Sequence, residues 1–597
     1  MATYSAPIAD IRFLLYEVIG LDRITALPGC DSATPDIVDA VLEEAGKFAA
    51  GVIAPTNAVG DKEGLKFENG IVRVPACFVD AYRQYVESGW NAVPFDPEFG
   101  GQGLPWLVAF PVLEMWQAAN MAFALCPMLN TGAVELLEAH GSPQQKETYL
   151  SKLIAGEWTG TMDLTEPQAG SDLSAVRAKA VRDGDVYRLF GQKIFITYGE
   201  HEMAENIIHL ALARLPDAPA GVKGISLFMV PKFLVNSDGS LGKRNDIHCT
   251  GIEHKLGIHA SPTAVISYGD NDGAVGYLIG QENRGLEYMF IMMNNARLNV
   301  GLQGVAISDR AYQAALEYAK IRVQSRDMRN PKAGPVAIIN HPDVRRMLMS
   351  MKAHAEATRA LAYEAAAFLD LAKRSEDKTT AKASQYRVDL LTPVVKAWST
   401  DVGVEVASTG VQVFGGMGFI EESGAPQFYR DARIAPIYEG TNGIQANDLV
   451  FRKLGRDQGE AARVLFKEMR DLCAELAQRQ GDEIAIIATA LTSGVETLEQ
   501  ATTRVLELLK TDPVAAAGGS ALYLRMFGTV AGGYMMARSA AAAQDGLKRD
   551  PDKASFYQTK LVTARFYAEQ ILPLAAALLS PVSQGCGAIM ALTEDQF

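Results

Sequence analysis

The sequence lacks the cysteine patterns that bind metals or build disulfide frameworks. Its six cysteines are scattered over 597 residues, and no two of them form a CxxC pair. Such spacing indicates reduced thiols, as in a cytoplasmic protein. The stretch HEMAE at residues 201–205 begins like the helix of a zinc protease but lacks the second histidine, so we predict no metal site.

An excess of basic charge and a long hydrophobic run are also missing. The formal net charge of -14 argues against a general nucleic-acid-binding surface, although it leaves room for a local basic pocket that binds a phosphorylated ligand. The most apolar stretch, residues 514–543, is interrupted by glycines and arginines and is too broken to span a bilayer. Residues 1–20 fit neither a secretory signal nor an arginine-rich transit peptide. The sequence therefore predicts a water-soluble protein with no integral membrane segment.

The length of the chain and the changes in its apolar periodicity predict several domains. A single hydrophobic core rarely serves more than about 250–300 residues, whereas this chain has 597. Helical spacing prevails in residues 1–155, short strand-like segments in residues 156–284, and long helical runs in residues 285–455. Residues 456–597 are alanine-rich and again helical. We predict an α+β, mostly α fold with an N-terminal helical domain, a middle β-barrel-like domain, a helical bundle and an extra C-terminal helical domain.

Short β-rich runs predict the strands of the middle domain. These runs are residues 158–165, 186–190, 207–213, 225–230 and 265–268. The brief turns of glycine, proline and aspartate between them favour antiparallel pairing.

Proline-free stretches predict the long helices. Residues 286–322 and 354–374 contain no proline, and residues 392–413 have Pro393 near the start, where proline is tolerated. A glycine-rich run at residues 414–419 ends the third helix. Because that run follows a helix rather than a strand, it is not a dinucleotide-binding fingerprint.

The candidate catalytic group is Glu439, in the run IYEGTNGIQ at residues 437–445. Gly440 beside it has no Cβ, so a ligand or another backbone segment can approach closely. A helix that begins near Thr441 leaves unpaired amide donors directed toward the carboxylate. This arrangement suits a base beside a bound carbonyl compound, although a solvated helix-capping carboxylate explains the same residues.

Two stretches of the predicted β domain have the composition of a flavin or pyrophosphate site. Residues 164–175 follow a strand and are rich in hydroxyl groups, which can bind a planar ring edge or a pyrophosphate; an ordinary polar turn is the alternative. Phe195 and Thr197 lie two apart in a strand and therefore face the same side. This pair either flanks a flavin or simply fills the strand.

Together these stretches resemble the signatures of the acyl-CoA dehydrogenase family. Residues 162–175, MDLTEPQAGSDLSA, are similar to the first signature and depart from it at Asp163, where a small residue is usual. Residues 412–431 resemble the second signature, with Gln427 where the family tends to have lysine or arginine. The run around Glu439 is similar to the catalytic segment. The C-terminal extension is similar to that of a larger bacterial subgroup that includes 3-methylmercaptopropionyl-CoA dehydrogenases.

The resemblance implies that the cofactor is FAD. Thr165, with the backbone of Met162 and Leu164, would bind the edge of the flavin pyrimidine. Ser171 would reach the pyrophosphate of FAD, and Thr197 would contact the reactive flavin nitrogen. The cofactor-binding residues implied in this way are Met162, Leu164, Thr165, Gly170, Ser171, Phe195, Thr197, Arg322, Gln324, Gln412, Gly415, Gly416 and Thr441.

Some of these residues would act across the interface of a homodimer. Arg322 and Gln324 resemble a pyrophosphate clamp from a neighbouring subunit, although Ser325 and Arg326 replace the Phe-Gly pair of the family. The residues implied to meet the adenosine half are Gln412, Gly415 and Gly416. We expect the C-terminal extension to cover the surface that shorter relatives bury in a tetramer. We predict that its most apolar part, residues 522–536, lies in a hydrophobic core; a membrane-contact role is the alternative.

The resemblance also implies where the substrate binds. Arg297 matches a family arginine in a long helix beside the acyl-CoA site, and Asn294 is a candidate for the CoA side. The implied substrate-binding residues are Ser171, Asn294, Arg297, Tyr438 and Gly440.

The activity implied is FAD-dependent α,β-dehydrogenation of an acyl-CoA thioester to the trans-2-enoyl-CoA. Glu439 would remove the α-proton while a hydride leaves the β-carbon for the flavin, and the electrons would pass to an electron-transferring flavoprotein. The substrate is expected to be either a fatty acyl-CoA or 3-methylmercaptopropionyl-CoA. Two alternatives stay open: an acyl-CoA oxidase on the same scaffold, and a non-enzymatic flavin-containing relative associated with nucleic acid. The acidic charge and the intact Glu439 count against the second alternative.

Overall fold

The computed structural model describes residues 4–332, 334–584 and 586–597. The chain divides into two compact units. The bundle unit comprises Met1–Gly46, Pro105–Glu114 and Val300–Phe597, and the sheet unit comprises Lys47–Leu104 and Met115–Asn299.

Helices account for most of the chain, as the sequence predicts. The helices up to residue 321 are α1 (Ile8–Arg12), α2 (Asp22–Thr25), α3 (Pro35–Phe48), α4 (Ala54–Glu63), α5 (Ala76–Glu87), α6 (Trp106–Ala119), α7 (Met121–His140), α8 (Pro143–Ala155) and α9 (Gly285–Ile321). The helices that follow are α10 (Pro342–Arg374), α11 (Lys378–Phe414), α12 (Ala425–Ala432), α13 (Asn442–Asn447), α14 (Gly455–Asp457), α15 (Glu460–Leu476), α16 (Asp482–Thr511), α17 (Pro513–Arg549), α18 (Ala554–Gln570), α19 (Leu574–Ala577) and α20 (Leu579–Ser583).

The strands lie mainly between α8 and α9, in the region predicted to form a β domain. They are β1 (Lys66–Glu68), β2 (Ile71–Arg73), β3 (Trp158–Asp163), β4 (Lys179–Asp183), β5 (Val186–Thr197), β6 (Asn206–Arg214), β7 (Ile225–Pro231), β8 (Phe233–Val235), β9 (Leu241–Arg244), β10 (Ile247–Ile252), β11 (Thr263–Tyr268), β12 (Ala274–Leu278), β13 (Val323–Arg326) and β14 (Pro335–Ala337). The small hairpin β1–β2 was not predicted, because its strands are only three residues long.

The main sheet of the sheet unit has the strand order β10-β11-β5-β12-β7-β6-β3, and β4 pairs with both β5 and β6. Most neighbouring strands are antiparallel, but β3 and β6 are parallel over Trp158↔Asn206 to Asp163↔Ala211. The prediction of antiparallel pairing is therefore wrong for β3 with β6, and also for β4 with β6, which are parallel at Lys179↔Arg214. β4 and β5 intervene between β3 and β6 in the chain, and only strands joined by a tight hairpin are forced to be antiparallel.

The predicted strand at residues 158–165 ends two residues early, since β3 stops at Asp163 and Leu164 and Thr165 leave the sheet. β5 is longer than predicted and reaches Thr197. The sheet encloses a core to which the inward-facing side chains of several strands contribute, among them Leu189, Phe228 and Ile266. Leu189 and Ile196 of β5 belong to this core and anchor that strand.

The long helices of the bundle unit pack against one another, α10 on α11 and α17 on α16 and α18. The prediction that a helix starts near Pro393 is wrong, because α11 begins at Lys378 and Pro393 lies inside it. A proline removes one helical hydrogen bond, and the buried residues on both sides of Pro393 keep the helix continuous. α10 also begins earlier than predicted, with Pro342 in its first turn.

The C-terminal helices join the bundle through close contacts with α11. Gly528 and Gly532 of α17 lie against the indole of Trp398, so near that a Cβ on either glycine would fall within 2.4 Å of a ring carbon. Most side chains of the apolar stretch of α17, residues 522–536, are buried, as the prediction of a hydrophobic core requires. Within the described ranges, no helix has both the length and the hydropathy needed to cross a membrane.

Candidate active site

Glu439 lies in a strained loop of the bundle unit. Its backbone φ is 56° and that of Gly440 is 81°, so two successive residues have left-handed backbone. Glycine adopts this conformation easily, whereas for a residue with a side chain it costs about 1–3 kcal/mol and persists only where the surroundings enforce it. The Glu439 loop therefore needs firm attachment to its neighbours.

Helix α13 provides part of that attachment. Thr441 caps the helix, its side chain accepting a hydrogen bond from the Ile444 amide at 3.2 Å. The buried Gln445 reaches back from the helix, and its Nε2 donates to the Glu439 carbonyl at 3.1 Å. The predicted helix start near Thr441 is thus confirmed.

Asn442 attaches the same loop to α11. Its Oδ1 accepts from Lys396 Nζ at 2.7 Å, and its Nδ2 donates to Asp401 Oδ1 at 2.7 Å and to the Ala397 carbonyl at 3.1 Å. Sequence reasoning missed Asn442 and Lys396, although an asparagine directly after the helix cap Thr441 was a signal. The loop is held from one side by these contacts.

Tyr438 holds the loop from a further direction. Its hydroxyl donates to Oε1 of the buried Gln303 on α9. Burial raises the pKa of the Tyr438 phenol, which therefore stays protonated and remains a donor. Tyr438 thus positions the backbone next to Glu439, while Gln303 was not identified from the sequence.

In the sheet unit, two of the predicted flavin-binding stretches lie side by side. The Ile194 amide donates to the Thr165 carbonyl at 2.9 Å. The Thr161 hydroxyl donates to the Thr197 carbonyl at 2.7 Å. The structure therefore brings together the end of β3, with Met162, and the end of β5.

A buried ion pair that sequence reasoning missed fixes the turn after β3. Lys193 Nζ donates to Glu166 Oε1 at 2.7 Å and to the Leu164 carbonyl at 3.0 Å. Burial raises the pKa of Glu166, but the Lys193 charge and the amides of Arg177 and Ala178 outweigh it and lower that pKa. The only sequence signal was a lysine inside an apolar strand.

Three hydroxyl side chains of the sheet unit that are predicted to bind the cofactor are at least partly exposed and unengaged. The hydroxyls of Thr165, Ser171 and Thr197 make no hydrogen bond within the described residues, and Ser171 is exposed next to the exposed Gly170. Phe195 has a φ of 60° and leaves 58% of its surface exposed. Hydroxyl groups and an aromatic face presented in this way match what a flavin and a pyrophosphate require.

The predicted substrate-side residues of this unit are neighbours on α9. Arg297 Nη1 donates to Asn294 Oδ1 at 3.1 Å, and its guanidinium lies 5.8 Å from the centre of the Phe290 ring. Arg297 is buried and Asn294 is exposed. The pair thus extends from the interior of the unit to its surface.

The residues predicted to reach a partner subunit lie on the surface of the bundle unit. Arg322 and Gln324 are exposed at the β13–β14 hairpin, where Ser325 has a φ of 61°. Gln412 is exposed at the end of α11, which Gly415 terminates with a φ of 61°. Gly416 follows and is exposed as well. A Cβ on Gly415 or Gly416 would meet no atom within 4 Å.

Family models match the chain in order along its length. The acyl-CoA dehydrogenase N-terminal domain model matches residues 36–157, the middle domain model matches 161–270, and the C-terminal domain model matches 283–454. A further model, described as acetyl-CoA dehydrogenase C-terminal like, matches residues 465–593. The chain belongs to the acyl-CoA dehydrogenase family, and it is an FAD-dependent oxidoreductase of that family. The resemblance stated from the motifs is confirmed, including the C-terminal extension.

Among its relatives is the 3-methylmercaptopropionyl-CoA dehydrogenase of Ruegeria pomeroyi, 48% identical over 96% of each chain. A butyryl-CoA dehydrogenase of Syntrophomonas wolfei is 34% identical over 100% of this chain and 99% of its own. A solved structure of an acyl-CoA dehydrogenase complexed with FAD from Bacillus anthracis shares the fold, with a TM-score of 0.74 at 19% identity over 96% of this chain and 91% of that one.

Proposed function

We propose that the chain dehydrogenates 3-methylmercaptopropionyl-CoA, with fatty acyl-CoAs of similar length as poorer substrates. The observation that carries this proposal is the 48% identity to the Ruegeria pomeroyi enzyme over nearly the whole of both chains, against 34% to the butyryl-CoA dehydrogenase. Both relatives extend through the C-terminal helices, so the difference in identity does not come from chain length. The product would be the corresponding trans-2-enoyl-CoA.

Glu439 is proposed as the base that removes the α-proton. A free carboxylate is far too weak a base for this carbon acid, so the site must stabilise negative charge on the thioester oxygen. The backbone amide of Glu439 would donate to that oxygen, as in an oxyanion hole. Gln445, Asn442 and Tyr438 would keep the carboxylate and the amide in register with the substrate, because they fix the loop on both sides of Glu439.

FAD, when bound, supplies the acceptor for the hydride from the β-carbon. Thr165 and Thr197 would bind its flavin ring, with Met162, Leu164 and Phe195 beside them. Ser171 and Gly170 would complete the contacts from the sheet unit, and Thr441 is the FAD contact proposed for the Glu439 loop of the bundle unit. The unengaged hydroxyls and the exposed aromatic ring support this assignment.

Asn294 and Arg297 are proposed to bind the CoA side of the substrate, with Tyr438, Gly440 and Ser171 as further substrate contacts. Two observations support the assignment of Asn294 and Arg297. The buried Arg297 donates to the exposed Asn294 on α9, and Arg297 matches the family arginine.

The proposed assembly is a cytoplasmic homodimer that passes its electrons to an electron-transferring flavoprotein. Arg322, Gln324 and Gln412 would reach the FAD of the neighbouring subunit, and Gly415 and Gly416 would allow its adenosine to approach. Support comes from the exposed apolar side chains next to them. These are Ile321, Val323, Met417, Phe419 and Ile420.

The substrate proposal is tested by comparing kcat/KM for 3-methylmercaptopropionyl-CoA and pentanoyl-CoA. The two acyl chains have the same length and differ only by sulfur in place of a methylene group. We expect a preference of about tenfold or more for the thioether, the scale at which a pocket distinguishes closely related apolar groups. Equal values, or a preference for pentanoyl-CoA, would contradict the proposal and identify a fatty acyl-CoA dehydrogenase.

A further inference from the structure

The interior of the sheet unit contains an acidic residue that the proposed reaction does not use. Asp163 is the last residue of β3 and is fully buried. It stands at the position where the first family signature usually has a small residue. A carboxyl group inside a β core needs hydrogen-bond donors or an opposite charge to be tolerated.

Two side chains from other strands supply donors to Asp163. The hydroxyl of Tyr268, on β11, donates to Asp163 Oδ2, and His209 Nδ1, on β6, lies 3.0 Å from the same oxygen. His209 and Tyr268 are themselves buried. Burial and the neighbouring Asp163 raise the pKa of Tyr268, so its phenol keeps the proton that it donates. Both side chains therefore converge on the same carboxyl oxygen of Asp163.

The other carboxyl oxygen is left without a partner. Asp163 Oδ1 is buried and accepts no hydrogen bond from any described residue. The nearby charged groups are Lys193 and Glu166, which pair with each other at 2.7 Å. The Lys193 ammonium is therefore engaged by Glu166 and by the Leu164 carbonyl, and it makes no hydrogen bond to Asp163.

Burial, with the Lys232 charge and His209, lowers the pKa of the neighbouring His201 to about 3. His201 accepts a hydrogen bond from the Met203 amide at Nδ1, which leaves its Nε2 to donate to Thr159 Oγ1 at 3.0 Å. This histidine is therefore neutral and does not compensate the charge of Asp163.

We infer that Asp163, held by His209 and Tyr268, lowers the reduction potential of the flavin. The inference rests on the proposed function, because Asp163 lies between Met162 and Leu164, the residues proposed to bind the edge of the flavin pyrimidine. A fixed negative charge in a low-dielectric interior opposes the arrival of further negative charge nearby. Asp163 does not contact the substrate and transfers no proton. It sets how readily electrons enter the flavin.

The test is the midpoint potential of bound FAD in the full-length holoenzyme and in Asp163→Asn, measured anaerobically against redox dyes without substrate. Asparagine has the same shape, and its Oδ1 can still accept from Tyr268 and His209. We expect Asp163→Asn to raise the ratio of reduced to oxidised flavin about tenfold at a given potential. For a two-electron couple this is about 30 mV.

Tyr268→Phe is the matched control variant. It disturbs the same network but leaves the carboxylate in place with one donor fewer, so the potential should fall. If both variants retain FAD and shift the potential in the same direction, or leave it unchanged, the inference is wrong and the network is only structural.

If Asp163→Asn fails to fold or to retain FAD, the test rests on Tyr268→Phe. A midpoint potential of Tyr268→Phe that is equal to or higher than that of the wild type overturns the inference. Failure of the proposed function is seen separately, since it shows in the unmodified protein, as an absence of bound FAD or as flavin that no acyl-CoA reduces.

Discussion

Three of the eight described non-glycine residues with positive φ lie in the stretches that carry the candidate site. Phe195, Ser325 and Glu439 all have positive φ, between 56° and 61°. Such conformations persist only where surrounding contacts enforce them, and at Glu439 these contacts come from Gln445 and Asn442. Strain of this kind indicates a backbone set by the requirements of binding or catalysis rather than by local preference.

The positions of the motif residues were predictable from the sequence, but the contacts that hold them were not. Gly440 indicates that a ligand or another backbone segment can come close to Glu439, because glycine has no Cβ. The partners of the loop, Gln303 on α9 and Lys396 on α11, lie far away in the chain. A single sequence contains no information about which distant polar residue fills such a role.

The buried Asp370 links the stability of the fold to pH. It accepts the amides of Trp106 and Leu107 at 2.8 Å each, and burial raises its pKa from 3.8 to about 6. At pH 5 the Asp370 carboxyl is therefore mostly protonated in the folded protein and mostly ionised in the unfolded chain. Protonation of Asp370 stabilises the fold at pH 5, and this contribution is lost as pH rises through 6.

We expect the unfolding free energy of the wild type, relative to Asp370→Asn, to fall by about 1 kcal/mol between pH 5 and pH 7. Chemical denaturation at both pH values measures it. Asp377→Asn is the control, because the exposed Asp377 caps α11 and its pKa is lowered by those hydrogen bonds, so its contribution is constant over this range. A relative stability of Asp370→Asn that does not change with pH would contradict the prediction.

Packing of whole helices accounts for the attachment of the C-terminal extension. α17 approaches α11 closely because Gly528 leaves space for Trp398, and a Cβ there would lie 2.2 Å from the Trp398 Cγ. Gly528→Ala should lower the unfolding free energy by about 1–3 kcal/mol, the usual cost of overpacking.

The control for that substitution is Gly51→Ala, because Gly51 is exposed and a Cβ there meets no atom within 4 Å. Thermal or urea unfolding should leave Gly51→Ala unchanged or slightly more stable and should shift Gly528→Ala downward. Equal midpoints for the two variants would show that α17 moves away from Trp398 at little cost.

At the scale of elements, the predictions succeed where sequence periodicity is long and fail where tertiary contacts decide. The helix predicted at residues 286–322 is α9, Gly285–Ile321, because its apolar pattern is continuous. The helix start at Pro393 is wrong because burial on both sides overrides the local preference of proline. The parallel pairing of β3 and β6 depends on the order of strands in space, which local patterns do not encode.

The proposed homodimer is a property of the whole molecule. Phe419 is 88% exposed beside Gln412 and Gly416, and Ile321 is 76% exposed beside Arg322. Exposed apolar side chains next to predicted cofactor contacts are typical of a subunit interface. Light scattering should give twice the 64.4 kDa chain mass.

Phe419→Asp should shift the mass toward that of one chain and weaken FAD binding, because both the interface and the partner contacts are lost. The matched control is Phe597→Asp, whose phenylalanine is 91% exposed at the C-terminal end. If Phe419→Asp remains a dimer with its flavin, the interface lies elsewhere on the bundle unit.

The proposed role of Glu439 as the base is tested most directly by the absorbance of bound flavin when 3-methylmercaptopropionyl-CoA is added without oxygen. We expect the oxidised flavin band of the wild type to bleach. In Glu439→Gln the same flavin stays bound but bleaches at least about a hundredfold more slowly, since the base is gone. Glu460→Gln, at an exposed ion pair with Arg463, should behave as the wild type. Flavin that bleaches as fast without the Glu439 carboxylate would rule out Glu439 as the base, and flavin that the thioester never reduces in the wild type would rule out the proposed dehydrogenation.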